Sequence, residues 1–326
     1  MIPRYQGVYA AITTPFSEDG SVDESGLGEL VEILERTGIS GILATGGTGE
    51  SVALSQDERK RVIRLVRDRA KREIIAGVLV PGLGDAIDLA KYSRDIGADA
   101  ILLLTPYYGN HTQRGIAAYY SKVTEEVDIP ILIYNIPYKT GVNIEAHTIA
   151  ELAQEHQNIA GIKQCSRNLT EISMLLRLAP KSFSVLAGEE DLFFPSLMLG
   201  AQGGVLASAD LIPNEWLSLF RYCQEGDLEK ARKLHHRILP LVQVLFSETN
   251  PTGLKIVMAS EGMPAGRTRE PIVPPMKEYV KSVLDAWTAF KGTRQTVDQM
   301  PSRAVVDRQS LHVKSGRPAG TARPLN

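Results

Sequence analysis

Several features that mark other protein classes are scarce in this chain of 326 residues. It contains only two cysteines, Cys165 and Cys223, and they form no CxxC pair, so we predict no disulfide framework and expect a reducing, cytoplasmic compartment. The first residues lack the basic and apolar regions of a signal peptide. No apolar run approaches the roughly 18 residues of a membrane-spanning helix, so we expect no membrane partner.

Strong net charge and metal-ligand spacing are also missing. The formal net charge is −2, which removes the electrostatic argument for a nucleic-acid partner. The six histidines show no ligand spacing with an acidic residue, so we predict no metal site. The glycines of Gly82-Leu-Gly84 lack the third glycine of a dinucleotide-binding loop, and no Walker-type phosphate loop occurs. We therefore predict no cofactor.

What the chain does contain is a regular alternation of short apolar runs and amphipathic stretches of helical length. A closed parallel barrel needs eight continuously apolar strands, each followed by a helix, because its strands are covered on both faces. We predict a (β/α)8 TIM barrel over residues 1–226. The competing fold is an open doubly wound sheet, but Ile12-Thr-Thr-Pro15 after the first run is not a phosphate loop. The eight runs are Val8–Thr14, Gly41–Thr45, Ile74–Leu79, Ala100–Thr105, Ile131–Ile136, Ala160–Cys165, Phe183–Ala187 and Gly204–Ser208.

Two further segments follow the predicted barrel. Residues 227–291 keep helical periodicity, with one apolar face in Asp227–Ser247, and predict a C-terminal helical extension. Residues 292–326 lose that periodicity and gain Arg, Ser, Gln, Gly and Pro, which predicts a disordered tail.

A lysine interrupts one of the apolar runs. Lys163 lies within Ile159-Ala-Gly-Ile-Lys-Gln-Cys165, where burial would disfavour its charged form and leave some neutral amine near pH 7. A neutral amine attacks carbonyl carbons and forms a Schiff base, which acts as an electron sink. The alternative is that Lys163 ends its strand and points to water.

The preceding run places a tyrosine where it can meet this lysine. Tyr134 lies near the end of Ile131–Ile136, and neighbouring parallel strands are about 4.8 Å apart. A phenol beside a Schiff-base amine can transfer protons. The alternative is an ordinary core tyrosine.

Other candidate residues follow the strand ends, where barrel enzymes carry their chemistry. In Thr45-Gly-Gly-Thr-Gly-Glu-Ser51 the glycines allow close backbone approach, and the N–H groups with the Thr48 hydroxyl can grip a carboxylate. Thr105-Pro-Tyr-Tyr-Gly109 offers aromatic side chains to a pocket or a partner subunit. Lys139 is a candidate anion anchor, although a loop lysine is more often simply solvated.

Taken together, the motifs resemble one family over about residues 5–290. Five of them stand in that family's order and spacing, namely Gly46-Gly-Thr-Gly-Glu50, Thr105-Pro-Tyr-Tyr108, Tyr134-Asn-Ile-Pro137, Gly161-Ile-Lys163 and Asn168-Leu-Thr170. The chain is similar to the dihydrodipicolinate synthase / N-acetylneuraminate lyase family of Schiff-base-forming lyases. The resemblance implies a lyase that acts on pyruvate or another 2-oxo acid.

The resemblance also implies roles for individual residues. Lys163 would be the Schiff-base lysine and Tyr134 the proton shuttle. Gly47 and Thr48 would hold the carboxylate of the 2-oxo acid, and Val205 would contribute its backbone carbonyl on the far side of the pocket.

Tyr108 would reach the site of a neighbouring subunit, since members of this family are commonly homotetramers built as dimers of dimers.

Two positions depart from the synthases of the family. At the position of Gly47 those synthases have a threonine whose hydroxyl links two tyrosines in a proton relay. At the position of Lys139 they usually have an arginine that binds the carboxylate of the second substrate. Lysine keeps the charge but loses the planar two-pronged contact.

These observations leave three hypotheses. The first is a dihydrodipicolinate synthase-like lyase that joins pyruvate to an aldehyde through Lys163. The second, favoured chemically by the missing hydroxyl at Gly47, is an aldolase or dehydratase for a 2-keto-3-deoxy sugar acid. The third is a catalytically silent barrel that binds a small acid.

Overall fold

The fold follows the alternation in the sequence. The computed structural model describes residues 4–297. Eight strands form: β1 Gly7–Ala11, β2 Gly41–Ala44, β3 Glu73–Val78, β4 Ala100–Leu104, β5 Ile131–Asn135, β6 Ile159–Gln164, β7 Ser184–Ala187 and β8 Gly203–Leu206. The helices are α1 Glu24–Glu35, α2 Gln56–Arg69, α3 Leu83–Asp95, α4 Gln113–Glu126, α5 Pro137–Thr140, α6 Ala146–Glu155, α7 Leu169–Leu178, α8 Phe193–Leu199, α9 Pro213–Glu225, α10 Leu228–Leu245, α11 Thr252–Ser260 and α12 Lys277–Val297.

The strands close into a parallel barrel in the order β1 to β8, which confirms the predicted fold. The closing pair is β1 with β8, where Tyr9 lies opposite Val205. Nearly every strand residue is buried, because side chains pack inside the barrel or under the surrounding helices. No helix within residues 4–297 is long and apolar enough to cross a membrane.

Local chemistry sets where helices begin and end. Ser55 and Glu58 form a capping box at the start of α2. Helix α9 ends at Gly226, whose φ of +75° suits glycine, and Asp227 then caps α10. This turn lies where the sequence places the boundary between barrel and extension, and we keep the division into residues 1–226 and 227–291 as a proposal.

Some boundaries differ from the sequence-based ones. Strand β1 ends at Ala11 because Thr13 donates its N–H to Asp210 and Thr14 donates its hydroxyl to Gly49, which draws the chain out of the ladder. Helix α12 runs to Val297, so the predicted tail is helical in its first positions, where no proline stops the backbone; the remainder, residues 298–326, lies outside the described residues.

A buried ion pair joins the extension to the loop after β2. Lys255 of α11 contacts Glu50 Oε1 at 2.7 Å and donates to the carbonyl oxygens of Thr14 at 2.8 Å and Arg267 at 2.7 Å. Glu50 also accepts the N–H of Arg269 at 2.8 Å. Burial lowers the pKa of Lys255, and Glu50 opposes that shift. The pair therefore fixes the end of the loop after β2 against the extension.

Replacing Lys255 by Met should destabilise the protein strongly. It would leave the Glu50 carboxylate buried without its cation, a loss of about 3–5 kcal/mol and a fall in Tm on the order of 10 °C. Thermal unfolding followed by circular dichroism measures it. Lys281→Met, which removes an exposed lysine paired with Asp285 on α12, is the matched control and should shift Tm by less than about 2 °C. Equal shifts for the two variants would contradict this account.

Candidate active site

A cavity of about 820 Å³ opens at the carboxyl end of the barrel. Its walls come from the loops that follow several strands and from the turn between α10 and α11 in the extension. Five of the seven predicted site residues line it: Gly47, Thr48, Tyr134, Lys139 and Lys163. Parallel strands bring their carboxyl ends to one rim, which is why residues distant in sequence converge here.

The lysine and the tyrosine face each other on adjacent strands. Tyr134 of β5 lies directly opposite Lys163 of β6 in the parallel ladder. The Lys163 Nζ is 5.0 Å from the centre of the Tyr134 ring, and each residue is 5% exposed. Lys163 forms no ion pair with any residue between positions 4 and 293, so its amine is available to a ligand in the cavity. Both predicted partners thus point into one space rather than to solvent.

Burial keeps the Tyr134 phenol protonated. It raises the pKa of Tyr134 well above its usual value, and nearby Cys165 adds to that shift. Burial also raises the pKa of the Cys165 thiol, which packs against Gly188 beside Lys163. The site therefore offers a neutral phenol as a proton donor next to the amine.

The β2 loop, residues 45–50, forms another wall of the cavity through Gly47 and Thr48. Thr45 and Glu50 at its two ends both have a φ of +52°, an uncommon conformation for residues with side chains. Thr45 Oγ1 donates to the Gly77 carbonyl at 3.0 Å, and the ion pair with Lys255 holds Glu50. Contacts to the Gly77 carbonyl and to Lys255 therefore hold the two ends of the loop in this conformation.

This anchoring leaves donors free inside the loop. Among the described residues, the N–H groups of Gly47 and Thr48 have no hydrogen-bond acceptor, although both residues line the cavity. Two such N–H groups with a neighbouring hydroxyl can bind a carboxylate. A Cβ built on Gly47 would have the Tyr134 hydroxyl at 3.9 Å as its nearest neighbour, so there is open space beside the phenol.

Lys139 lies on α5, a short helix that the sequence did not predict. Pro137 at its first turn and Gly141 after it, with a φ of +70°, define this turn directly after β5. Burial at the cavity wall lowers the pKa of Lys139, with Lys163 adding to the shift. Lys139 forms no ion pair with another described residue, as a free anion anchor requires.

Two predicted site residues do not line the cavity. Tyr108 is fully exposed and has a φ of +77°, so its ring projects away from its own barrel. Val205 of β8 is 1% exposed and packs inside the barrel in the apolar cluster that includes Tyr134. The structure brings neither side chain to the site, and the roles predicted for Tyr108 and Val205 stay predictions.

Polar side chains that the sequence did not single out line the mouth of the cavity. Tyr138 donates to Glu189 at 2.9 Å, and Arg167 contacts Glu189 at 3.2 Å and also Asp191. These contacts link the loops after β5, β6 and β7. Glu190 accepts from the N–H groups that follow β8, and burial raises its pKa to about 7. Their position directly after strand ends was the available signal.

Comparisons with known proteins agree with this geometry. The model of the Dihydrodipicolinate synthetase family matches residues 4–289. The chain belongs to this family. It is 41% identical to 4-hydroxy-tetrahydrodipicolinate synthase of Methanothrix thermoacetophila, over 87% of this chain and 96% of that protein. The family prediction is confirmed.

Two solved structures of the family superpose closely. Dihydrodipicolinate synthase from Aquifex aeolicus has a TM-score of 0.86 at 36% identity, covering 88% of this chain and 98% of that one. YagE of E. coli K12, a prophage protein of the dihydrodipicolinic acid synthase family solved in complex with pyruvate, has a TM-score of 0.84 at 25% identity, covering 88% and 99%. The chain is thus a Schiff-base-forming lyase of this family, as predicted.

Proposed function

We propose that the protein joins pyruvate to aspartate semialdehyde, the 4-hydroxy-tetrahydrodipicolinate synthase reaction, with Lys163 as the Schiff-base residue. The observation that carries the proposal is the opposed pair Tyr134 and Lys163, whose Nζ and ring centre are 5.0 Å apart at one end of the cavity. Relatives named as this synthase at 41% and 40% identity support the substrate pair.

The proposed reaction assigns each step to a group in the site. The Lys163 amine attacks the keto carbon of pyruvate, and loss of water gives an iminium ion. The Tyr134 oxygen, having protonated the departing hydroxyl, then accepts a proton from the methyl carbon, and the resulting enamine attacks the aldehyde carbon and forms the new carbon–carbon bond. Tyr134 returns its proton to the product alkoxide. The amino group of the bound product then attacks the iminium carbon, which closes the ring and releases the Lys163 amine.

The remaining polar groups bind the two substrates. The free N–H groups of Gly47 and Thr48 with the Thr48 hydroxyl hold the pyruvate carboxylate. Lys139 binds the carboxylate of the aldehyde as a point charge. The backbone carbonyl of Val205 would lie behind the pyruvate.

Borohydride trapping tests the proposal. Reduction of the protein in the presence of pyruvate should attach a stable adduct to Lys163, located by intact mass and peptide mapping. Formation of the cyclic product from added aspartate semialdehyde then identifies the second substrate. A folded protein that gives no adduct with pyruvate contradicts the proposed function and supports a silent binding barrel.

One observation favours a second candidate, an aldolase or dehydratase of 2-keto-3-deoxy sugar acids. Gly47 provides no hydroxyl beside Tyr134, so this chain lacks one group of the proton relay that the resemblance implies for the family's synthases. Cleavage of such a sugar acid to pyruvate and an aldehyde, faster than condensation with aspartate semialdehyde, would identify this reaction.

Substituting Gly47 by Thr distinguishes the two candidates. The site has room for the side chain and a backbone conformation open to it, and a hydroxyl there can reach the phenol. If the enzyme is a synthase, kcat with aspartate semialdehyde should rise by about tenfold, since a positioned proton relay contributes on the order of 10²-fold or more. Gly47→Ala is the control without the hydroxyl. Equal kcat for both variants would show that the relay is not limiting.

We also propose a cytoplasmic homotetramer. In such an assembly the exposed Tyr108 of one subunit would enter the site of its neighbour, which accounts for an aromatic side chain that its own barrel does not cover. One structural neighbour, at 30% identity, is a monomeric dihydrodipicolinate synthase variant, so assembly must be measured for this chain. Analytical ultracentrifugation of the wild type measures it.

A further inference from the structure

A residue of the C-terminal extension contacts the β2 loop inside the cavity. Asn250 lies in the turn between α10 and α11 and donates from Nδ2 to Thr48 Oγ1 at 3.0 Å. Both residues line the cavity, and Thr48 is only 3% exposed. The contact spans 202 positions of the chain.

The direction of this hydrogen bond determines what the Thr48 hydroxyl can do. An amide N–H can only donate, so it occupies one lone pair of Thr48 Oγ1 and leaves the hydroxyl hydrogen free. Among the described residues, Thr48 Oγ1 has no other hydrogen-bond partner. The hydroxyl therefore remains available as a donor to a ligand in the cavity.

The rest of the extension holds the same loop in place. Glu50 lies two residues after Thr48. Its carboxylate is held by the Lys255 ammonium and by the Arg269 N–H. The Arg269 guanidinium is itself anchored to Glu58 at 2.8 Å. Other residues therefore already fix the backbone of the loop that Asn250 contacts. The Asn250 amide then determines the orientation of the Thr48 hydroxyl.

We propose that Asn250 is a positioning residue that orients the Thr48 hydroxyl as a hydrogen-bond donor to the carboxylate of the 2-oxo acid. The proposal rests on the proposed function, in which Thr48 binds that carboxylate. It makes the extension part of pyruvate recognition and not only a covering of the barrel.

The test measures how much pyruvate is needed for half-maximal borohydride trapping at Lys163. Asn250→Leu removes the amide at similar volume and should raise that concentration by about tenfold, the usual worth of a hydrogen bond to a charged group. Asn250→Asp should raise it further, because a carboxylate accepts only and turns the Thr48 hydroxyl away from pyruvate. The kcat at saturating pyruvate should change by less than about threefold.

A double-mutant cycle separates this role from a structural one. In a Thr48→Val background, Asn250→Leu should change the half-saturating pyruvate concentration by less than about twofold, since its effect acts through the missing hydroxyl. Ser260→Ala on α11, which removes a local contact to Val257, is the control and should leave pyruvate binding unchanged. Additive effects of the two substitutions, or a loss confined to kcat or Tm, overturn the proposal.

Failure of the proposed function gives a different result. A wild-type protein that forms no pyruvate adduct overturns the reaction and the role of Asn250 with it. An unchanged half-saturation in Thr48→Val, with the adduct still formed, overturns the carboxylate site at Thr48. A clear Thr48→Val effect with an additive Asn250→Leu effect overturns the role of Asn250 alone.

Discussion

Lys163→Met is expected to abolish the borohydride-trapped adduct and to lower kcat/KM on the order of 10⁴-fold or more, because the proposed reaction has no electron sink without the Lys163 amine. Lys163 has no carboxylate partner among the described residues and lies at the cavity end of β6 opposite Tyr134. Methionine matches its length without the amine. Intact mass after reduction with pyruvate, and turnover with added aldehyde, measure the two losses.

The same substitution should leave the fold intact. A lysine that is 5% exposed and lacks an ion pair costs desolvation energy, so its replacement by an apolar side chain should keep or raise Tm. Lys181→Met, which alters an exposed lysine between α7 and β7, is the control and should retain both adduct and turnover. An adduct that persists on another lysine in Lys163→Met would assign the Schiff base elsewhere.

The barrel and the central pair could be predicted from the sequence because both depend on local patterns. Continuously apolar strands separated by amphipathic helices admit few architectures, and closure follows when eight such units occur. A lysine inside an apolar run is costly unless it has a use, which singled out Lys163. Parallel register then placed Tyr134 beside it.

The rest of the site depends on contacts that no local pattern encodes. Asn250 reaches Thr48 across 202 positions, and the position of the α10–α11 turn over the barrel mouth follows from helix packing. The polar contacts among Tyr138, Arg167 and Glu189 join three separate loops. In the sequence each of these loops has the composition of an ordinary exposed loop. Tyr108 is fully exposed and has a φ of +77°, a conformation that the sequence does not reveal.

Tyr134→Phe is expected to lower kcat on the order of 10²- to 10³-fold while leaving the adduct detectable. Lys163 still attacks pyruvate, but carbinolamine dehydration and protonation of the alkoxide lose their nearest donor. Since burial raises the pKa of Tyr134 well above its usual value, the phenol stays protonated through neutral pH. The loss in kcat should therefore be nearly independent of pH between about 6 and 9. Rapid-quench trapping and steady-state turnover measure the two effects.

The control for this change is Tyr92→Phe on α3, where the phenol lies beside Lys60 and Arg64, away from the cavity, and its loss should leave kcat unchanged.

Combining Tyr134→Phe with Gly47→Thr tests whether a hydroxyl at position 47 acts through the phenol. A threonine hydroxyl can relay protons only to the phenol beside it, so any gain from Gly47→Thr should vanish when Tyr134 is phenylalanine. A gain that survives in the double variant would mean that residue 47 acts on the substrate directly and not through the Tyr134 hydroxyl.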